Sequence, residues 1–281
     1  MKIGFIGTGN MGGAIAKVAA KAQPKATFFL SDPSEERANA MKAALVEIKA
    51  EKKIPDAEST VVLVDNNTLA NTADYIFLAV KPQVMPLVLE GLRETLAARF
   101  QRGEHFVLVT MAAGIEAERI QLLSEGYYPV IRIMPNTPVE LSEGAVAYTG
   151  RNTAEKDIKG FERIMKLAGT LIPVPEDKID AVCALSGCGP AYVYMFINAM
   201  KEQGEALGLT EEQAMILATQ TLRGASAMVR AGKGTPEELR IKVCSPGGAT
   251  IEGVKVLQDG GLEPLVRDAV KAGYEKTLKL K

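Results

Sequence analysis

The chain has 281 residues, 47% hydrophobic and 24% charged, the make-up of an ordinary globular protein with length for two medium domains. Lys and Arg number 33 against 34 Asp and Glu, so there is no excess of charge to hold a nucleic acid or an anionic membrane surface. Cys183, Cys188, Cys244 and the single histidine, His105, are too scattered for a zinc or iron–sulfur site, so no metal is expected and the thiols read as small buried or half-buried residues.

Met1 and Lys2 lead directly into a short apolar strand with no signal-peptide pattern, and the longest apolar stretches read as buried strands, well short of a membrane span. A cytoplasmic protein is expected. Strands are predicted at 3–7, 27–30, 61–64, 75–80, 106–110, 130–133 and 145–149. Helices are predicted between them at 10–21, 34–48, 84–99, 115–123 and 154–167, the second with Glu35 and Glu36 in its first turn. Short strands alternating with helices, with few polar residues inside the strands, predict a mostly parallel sheet covered on both faces: an α/β, doubly wound Rossmann-type domain over residues 1–170.

The pattern changes near Leu171 to Pro175, and residues 171–281 read as an all-α domain. Helices are expected at 178–185, 191–207, 210–231, 235–243, 249–258 and from 263 onward. Thr210 with Gln213 forms one capping-box signal, and Thr235 followed by Pro236, Glu237 and Glu238 forms another start signal. The stretches 191–200 and 214–222 are apolar on most sides. A domain this small has little interior to hide them, so a homodimer at least is expected.

Gly7, Gly9 and Gly12 carry the dinucleotide fingerprint directly after a strand and directly before a helix. The first permits a tight turn, the second lets backbone approach a pyrophosphate, and the third lets helix pack on sheet. The alternative is a glycine turn with no ligand. Asp32 falls twenty residues past Gly12, where an acid accepts from adenosine ribose hydroxyls and repels a 2′-phosphate; this leans toward NAD without excluding NADP, since Arg37 is a nearby cation. Asp32 also suits the turn before a helix.

Lys81 and Pro82 follow a strand at the edge where open sheets bind ligands, Lys81 being either a binding cation or a solvated loop residue. Asn136 and Thr137, between Pro135 and Pro138, either present an amide and a hydroxyl to the nicotinamide or form a plain rigid turn. In the helical half, Ser245, Pro246, Gly247, Gly248, Ala249 and Thr250 precede a helix start, forming either a small-anion nest or an ordinary connection. His105 reads as a surface residue, and without a well-placed imidazole the composition favours reduction of C=N over C=O.

The run 3–13 with Asn10 and Met11, the segment 77–82, the run 132–138, the run 185–192 and above all 243–251 resemble the pyrroline-5-carboxylate reductase family over essentially the whole length. The resemblance implies a helical C-terminal domain that interlocks with a partner subunit, often in a ring of five dimers, so that the partner's helices complete the cleft. It implies hydride transfer from NADH or NADPH to the C=N carbon of 1-pyrroline-5-carboxylate, giving L-proline. It implies that Ser245 and the backbone of Gly247, Gly248 and Ala249 hold the substrate carboxylate, with Thr250 as the catalytic group near the ring nitrogen. On the cofactor side it implies Gly7, Thr8, Gly9, Asn10, Met11, Gly12, Ser31, Asp32, Asn66, Ala79, Val80, Lys81, Pro82, Asn136 and Thr137. Cys188 stands where serine is usual, and Cys244 where serine or threonine is frequent. The competing readings are a reductase of another small imino or 2-oxo acid, and a non-catalytic dinucleotide-binding sensor.

Overall fold

The computed structural model describes residues 1–280. The chain divides into two compact units, one of residues 1–187 together with those from 273 onward, the other of residues 188–272.

The first unit runs β1 (Lys2–Ile6), α1 (Asn10–Ala22), β2 (Thr27–Ser31), α2 (Glu35–Glu51), β3 (Val61–Leu63), α3 (Asn66–Thr72), β4 (Tyr75–Leu78), α4 (Met85–Gln101), β5 (Val107–Thr110), α5 (Ala117–Leu123), β6 (Val130–Met134), β7 (Gly144–Arg151), α6 (Glu155–Met165), β8 (Gly169–Pro173) and α7 (Ile179–Val182). The strands form one sheet in the order β3-β2-β1-β4-β5-β6-β7-β8, parallel throughout except where β7 runs against β6. Strands are added outward from β1 in one direction through β3 and in the other from β4 onward, which puts the topological switch point, and the ligand crevice it creates, at the carboxyl ends of β1 and β4.

The central strands are apolar at successive positions because helices cover both faces. Phe5, Phe28, Phe77, Val109 and Ile131 point to one face, where α1 and α6 close the core with residues such as Ile15 and Phe161. Ile6, Ile76, Leu78, Leu108 and Val130 point to the other, under Leu69 of α3, Leu92 of α4 and Ile120 of α5. The rings of Phe5 and Phe77 stack at 4.6 Å between neighbouring strands.

Two elements of this unit differ from the sequence reading. Helix α3, which begins after the Asp65 N-cap (Oδ1 accepting from Thr68 N at 2.9 Å), is too short to show an apolar period. Strand β8 pairs in parallel with β7 and extends the sheet through the expected boundary at 170–171, so the division falls at Gly187 and Cys188 instead. Its mostly exposed edge carries little of the apolar signal that marks β4 to β6.

The second unit is helical: α8 (Gly189–Ala206), α9 (Glu211–Arg230), α10 (Pro236–Val243), α11 (Ala249–Asp259) and α12 (Leu262–Leu278), the last of which passes into the first unit at Gly273. The expected capping box of Thr210 with Gln213 forms, and at the expected start signal of Thr235 a second box closes with Glu238. Helix α8 has no buried residue, and large apolar side chains such as Met195 (74% exposed), Ile216, Val243, Val256 (70%) and Leu265 stand open. The helical residues from Glu176 to Ala206 also pass, by length and composition alone, for a membrane crossing. The sequence reading ends one helix at 185 and starts the next at 191, whereas a π-helical segment, Cys183–Gly187, carries the helical winding onward.

Candidate active site

At the end of β1 the chain turns on Gly7, whose φ of +94° and N–H to the Ser31 carbonyl (2.8 Å) bend it toward α1. A Cβ on Gly7 would stand 2.6 Å from the Ala79 carbonyl oxygen, and one on Gly12 would stand 2.5 Å from that of Gly7. At Gly9 a Cβ would meet nothing within 4 Å, so this glycine faces open space. Gly9 is also the N-cap of α1 and offers no side-chain cap, so the N–H groups of Asn10, Met11 and Gly12 are left for an anion. Tight backbone on either side of an open centre, at an uncapped helix start, fits the pyrophosphate of a dinucleotide.

Asp32 lies just past β2 with its carboxylate only 3% exposed. Oδ2 accepts from Thr8 N (2.8 Å) and Thr8 Oγ1 (3.0 Å), while Oδ1 accepts from Ser34 N (2.9 Å) and from Arg37 Nη2 and Nε (2.8 and 3.3 Å). Burial pushes the Asp32 carboxyl up, but Arg37, Thr8 and Ser34 outweigh it and hold the pKa at about 2. The expected ribose acceptor is therefore first a clasp that ties the glycine turn to the start of α2. Beside it, Ser31 Oγ donates to Asn66 Oδ1 at 2.7 Å, which joins two further expected cofactor residues at the ends of β2 and β3.

Ala79, Val80, Lys81 and Pro82 follow β4, with the Ala79 N–H bonded to the Ile6 carbonyl and Lys81 exposed. After β6 the outcome is split. Thr137 is exposed, whereas Asn136 is buried and spends its amide on the protein: Nδ2 donates to the Ser186 carbonyl (3.0 Å) and Oδ1 accepts from Ala145 N (2.9 Å). The Asn136 amide thus braces the turn against the π-helical segment, as the rigid-turn alternative has it. Beneath it, buried Arg132 pairs with Asp180 (3.0 Å) and approaches Glu176 (3.5 Å), whose Oε1 also accepts from Ala117 N at the start of α5 (2.6 Å).

The loop of Met111 to Ile115, after β5, lies at the same edge of the sheet, between the loops that follow β4 and β6. The sequence reading missed it. Its one signal is Gly114, at φ +75°.

In the helical unit, Ser245 to Gly248 form a tight turn, with Gly247 at φ +72° and Gly248 N donating to the Ser245 carbonyl (3.0 Å). A Cβ on Gly248 would stand 2.6 Å from Ser245 Oγ. Gly248 is the N-cap of α11 and again gives no side-chain cap, so the N–H groups of Ala249 and Thr250 and the Ser245 hydroxyl gather on the exposed end of the helix. The cofactor candidates thus share one edge of the sheet, and the substrate candidates share one helix start in the other unit. Cys183, Cys188 and Cys244 are all half-buried thiols outside any disulfide.

A doubly wound sheet with an open glycine cradle, followed by a helical unit, defines a nicotinamide-dinucleotide-dependent oxidoreductase. Residues 176–280 match the family described as pyrroline-5-carboxylate reductase dimerisation, and residues 2–112 match the one described as NADP oxidoreductase coenzyme F420-dependent. Pyrroline-5-carboxylate reductase 2 of Bos taurus is 34% identical over 100% of this chain and 84% of its own length, and the pyrroline-5-carboxylate reductase of Aquifex aeolicus is 31% identical over 100% and 97%. The crystal structure of Plasmodium falciparum pyrroline carboxylate reductase with NADP bound superposes with a TM-score of 0.83 at 28% identity, covering 100% of this chain and 98% of that one. The chain belongs to the pyrroline-5-carboxylate reductase family. Its helical unit is the dimerisation unit of that family, and the open apolar side chains there are surface for a partner copy in a homodimer.

Proposed function

We propose that the chain reduces 1-pyrroline-5-carboxylate to L-proline. The observation that carries the reading is the 245–250 turn, where a hydroxyl and backbone N–H groups gather at an uncapped helix start, in a chain that also has an open glycine turn before α1. The reduced nicotinamide supplies hydride to the imine carbon. Ser245 Oγ and the N–H groups of Ala249 and Thr250 hold the carboxylate, while the Gly248 N–H is spent on the Ser245 carbonyl and Gly247 shapes the turn. Thr250 stands near the ring nitrogen, which takes up the electron pair of the C=N bond and keeps its proton. An iminium acceptor is already a cation, so the site needs orientation more than a strong acid.

The position of His105 favours this over a 2-oxo acid. It precedes β5, at the amino edge of the sheet, with Nε2 2.6 Å from Asp157 Oδ1, and so lies at the end opposite the glycine turn. A carbonyl reductase would have no imidazole at the working edge.

The dinucleotide is held by the residues around the glycine turn, by Ser31 and Asn66 at the ribose end, and by Ala79 to Pro82 and Thr137 toward the nicotinamide. NADH is the preferred form: Asp32 keeps its charge at neutral pH and already engages the Arg37 guanidinium, so a 2′-phosphate meets a carboxylate and a paired cation. The working assembly is a homodimer, arranged as a ring of five dimers in the cytoplasm. The test follows loss of NADH or NADPH absorbance with 1-pyrroline-5-carboxylate. The proposal expects turnover with proline as product, faster with NADH, and no turnover with either cofactor contradicts it.

A further inference from the structure

The last turns of α12, with the residue pair that follows, belong to the compact unit of the sheet, and they touch two segments at its carboxyl edge. Thr277 is 4% exposed; its Oγ1 donates to the Gly273 carbonyl (2.9 Å) and lies 3.7 Å from Cys183 Sγ, the first residue of the π-helical segment that Asn136 braces. Three residues on, Leu280 N bonds to the Thr277 carbonyl (3.0 Å) and the residue lies flat against Gly114. A Cβ on Gly114 would stand 2.8 Å from Leu280 Cβ and 2.9 Å from both its carbonyl carbon and its oxygen. At these distances backbone must move, and the φ of +75° strains any side chain there besides.

We infer that Thr277 and Leu280 are positioning residues for the reduced dinucleotide, acting through the loop of Met111 to Ile115. That loop follows β5, between the loops after β4 and β6, on the half of the crevice opposite β2 and the ribose clasp at Asp32. In an open parallel sheet this is where the nicotinamide end of a dinucleotide must pass. The loop is tied at its far end by Glu176, through the Ala117 N–H, and has Leu280 over Gly114 in its middle. Two fixed points leave it one position, whereas a loop free at Gly114 pays ordering entropy whenever the dinucleotide binds. The choice of glycine at 114 follows, because no other residue lets the Leu280 backbone close on the loop.

The inference rests on dinucleotide binding and not on the identity of the imine, so its test leaves the substrate out. Dissociation constants of NADH and NADPH are measured by direct fluorescence titration for the parent, for Gly114→Ala, for a chain ending at Lys279, and for the two changes combined, with thermal unfolding recorded for each. Gly114→Ala is expected to weaken binding about tenfold in the full chain, from overpacking and backbone strain together. In the chain ending at Lys279, where the obstacle is gone, the same substitution is expected to cost about threefold or less. The shortened chain itself should bind more weakly than the parent while unfolding at nearly the same temperature. Thr277→Val, which keeps the shape but removes the hydroxyl, should weaken binding in the same direction. Unchanged dissociation constants in the shortened chain, or a Gly114→Ala loss of equal size in both chains, would overturn the inference. A fall in melting temperature without change in cofactor binding for Thr277→Val would reduce that residue to a purely structural one.

Discussion

Arg37 donates through both Nη2 and Nε to one oxygen of Asp32, while Thr8 takes the other oxygen with its backbone and its hydroxyl. The glycine turn, the end of β2 and the start of α2 are thereby closed on a single buried carboxylate. Replacing it with serine should release the guanidinium and remove the repulsion of a 2′-phosphate together. We expect Asp32→Ser to move the ratio of kcat/KM for NADPH over NADH upward by about tenfold or more, equivalent to about 1.4 kcal/mol. Parallel steady-state kinetics with the two cofactors check this, and an unchanged ratio would show that the clasp does not set the choice.

The same carboxylate makes the protein acid-sensitive in a defined window. With its pKa held at about 2 against an ordinary 3.8, the folded chain binds the Asp32 proton less readily than the unfolded chain. This stabilisation is complete above pH 3.8 and is lost as pH falls through about 2. The stability advantage of the parent over Asp32→Asn should therefore be constant near neutrality and shrink between these two values, as read from denaturant unfolding at each pH.

Lys49 is shifted in the same direction, at the alkaline end of the pH range. Its ammonium is buried, donating to the Ala26 carbonyl and to Thr60 Oγ1 and lying over the Phe28 ring, and burial pushes its pKa down to about 8 from 10.5. Between those values the unfolded chain holds a proton that the folded chain has released, so stability from this residue rises with pH. The melting temperature of the parent relative to Lys49→Met should climb across this range, and a flat difference would contradict the assignment.

Arg132 and Asp180 form an ion pair whose side chains are 1% and 5% exposed. Removing one partner leaves a buried charge without compensation, so Asp180→Ala should cost about 3–5 kcal/mol of unfolding free energy. Because the pair anchors the segment leading into the π-helical turn, cofactor affinity should fall as well. Denaturant unfolding and cofactor titration on one preparation report both.

In the helical unit, Gly248→Ala would press a methyl group onto Ser245 Oγ and disorder the turn proposed to hold the substrate carboxylate. The KM for the imine should rise about tenfold or more, by overpacking, while the KM for the dinucleotide stays near the parent value. Thr250→Ala should instead lower kcat with less effect on KM, since its hydroxyl is assigned to the ring nitrogen.

The glycine turn was legible because its geometry is local: Gly7, Gly9 and Gly12 are required by one turn and one helix start. Asp32 was legible in position but not in partners, since Thr8 lies 24 residues away and only the closed sheet joins them. Asn136 was likewise legible in position and not in partners, its amide being taken by a carbonyl 50 residues on. Strand β8 and helix α3 escaped because each is short, and β8 is exposed along most of its length. The contact of Leu280 with Gly114 had no trace in the sequence beyond a glycine after a strand. What sequence spacing conveys is local shape, and what it omits is the long-range hydrogen bond and the close backbone approach.

The most direct test of the account is isotopic. With nicotinamide cofactor deuterated at the transferable C4 position and 1-pyrroline-5-carboxylate as acceptor, proline formed by the protein should carry one deuterium at Cδ, the former imine carbon, by nuclear magnetic resonance. Proline without deuterium at that carbon, or no proline while cofactor binds normally, would contradict the assignment of this chain as an imine reductase.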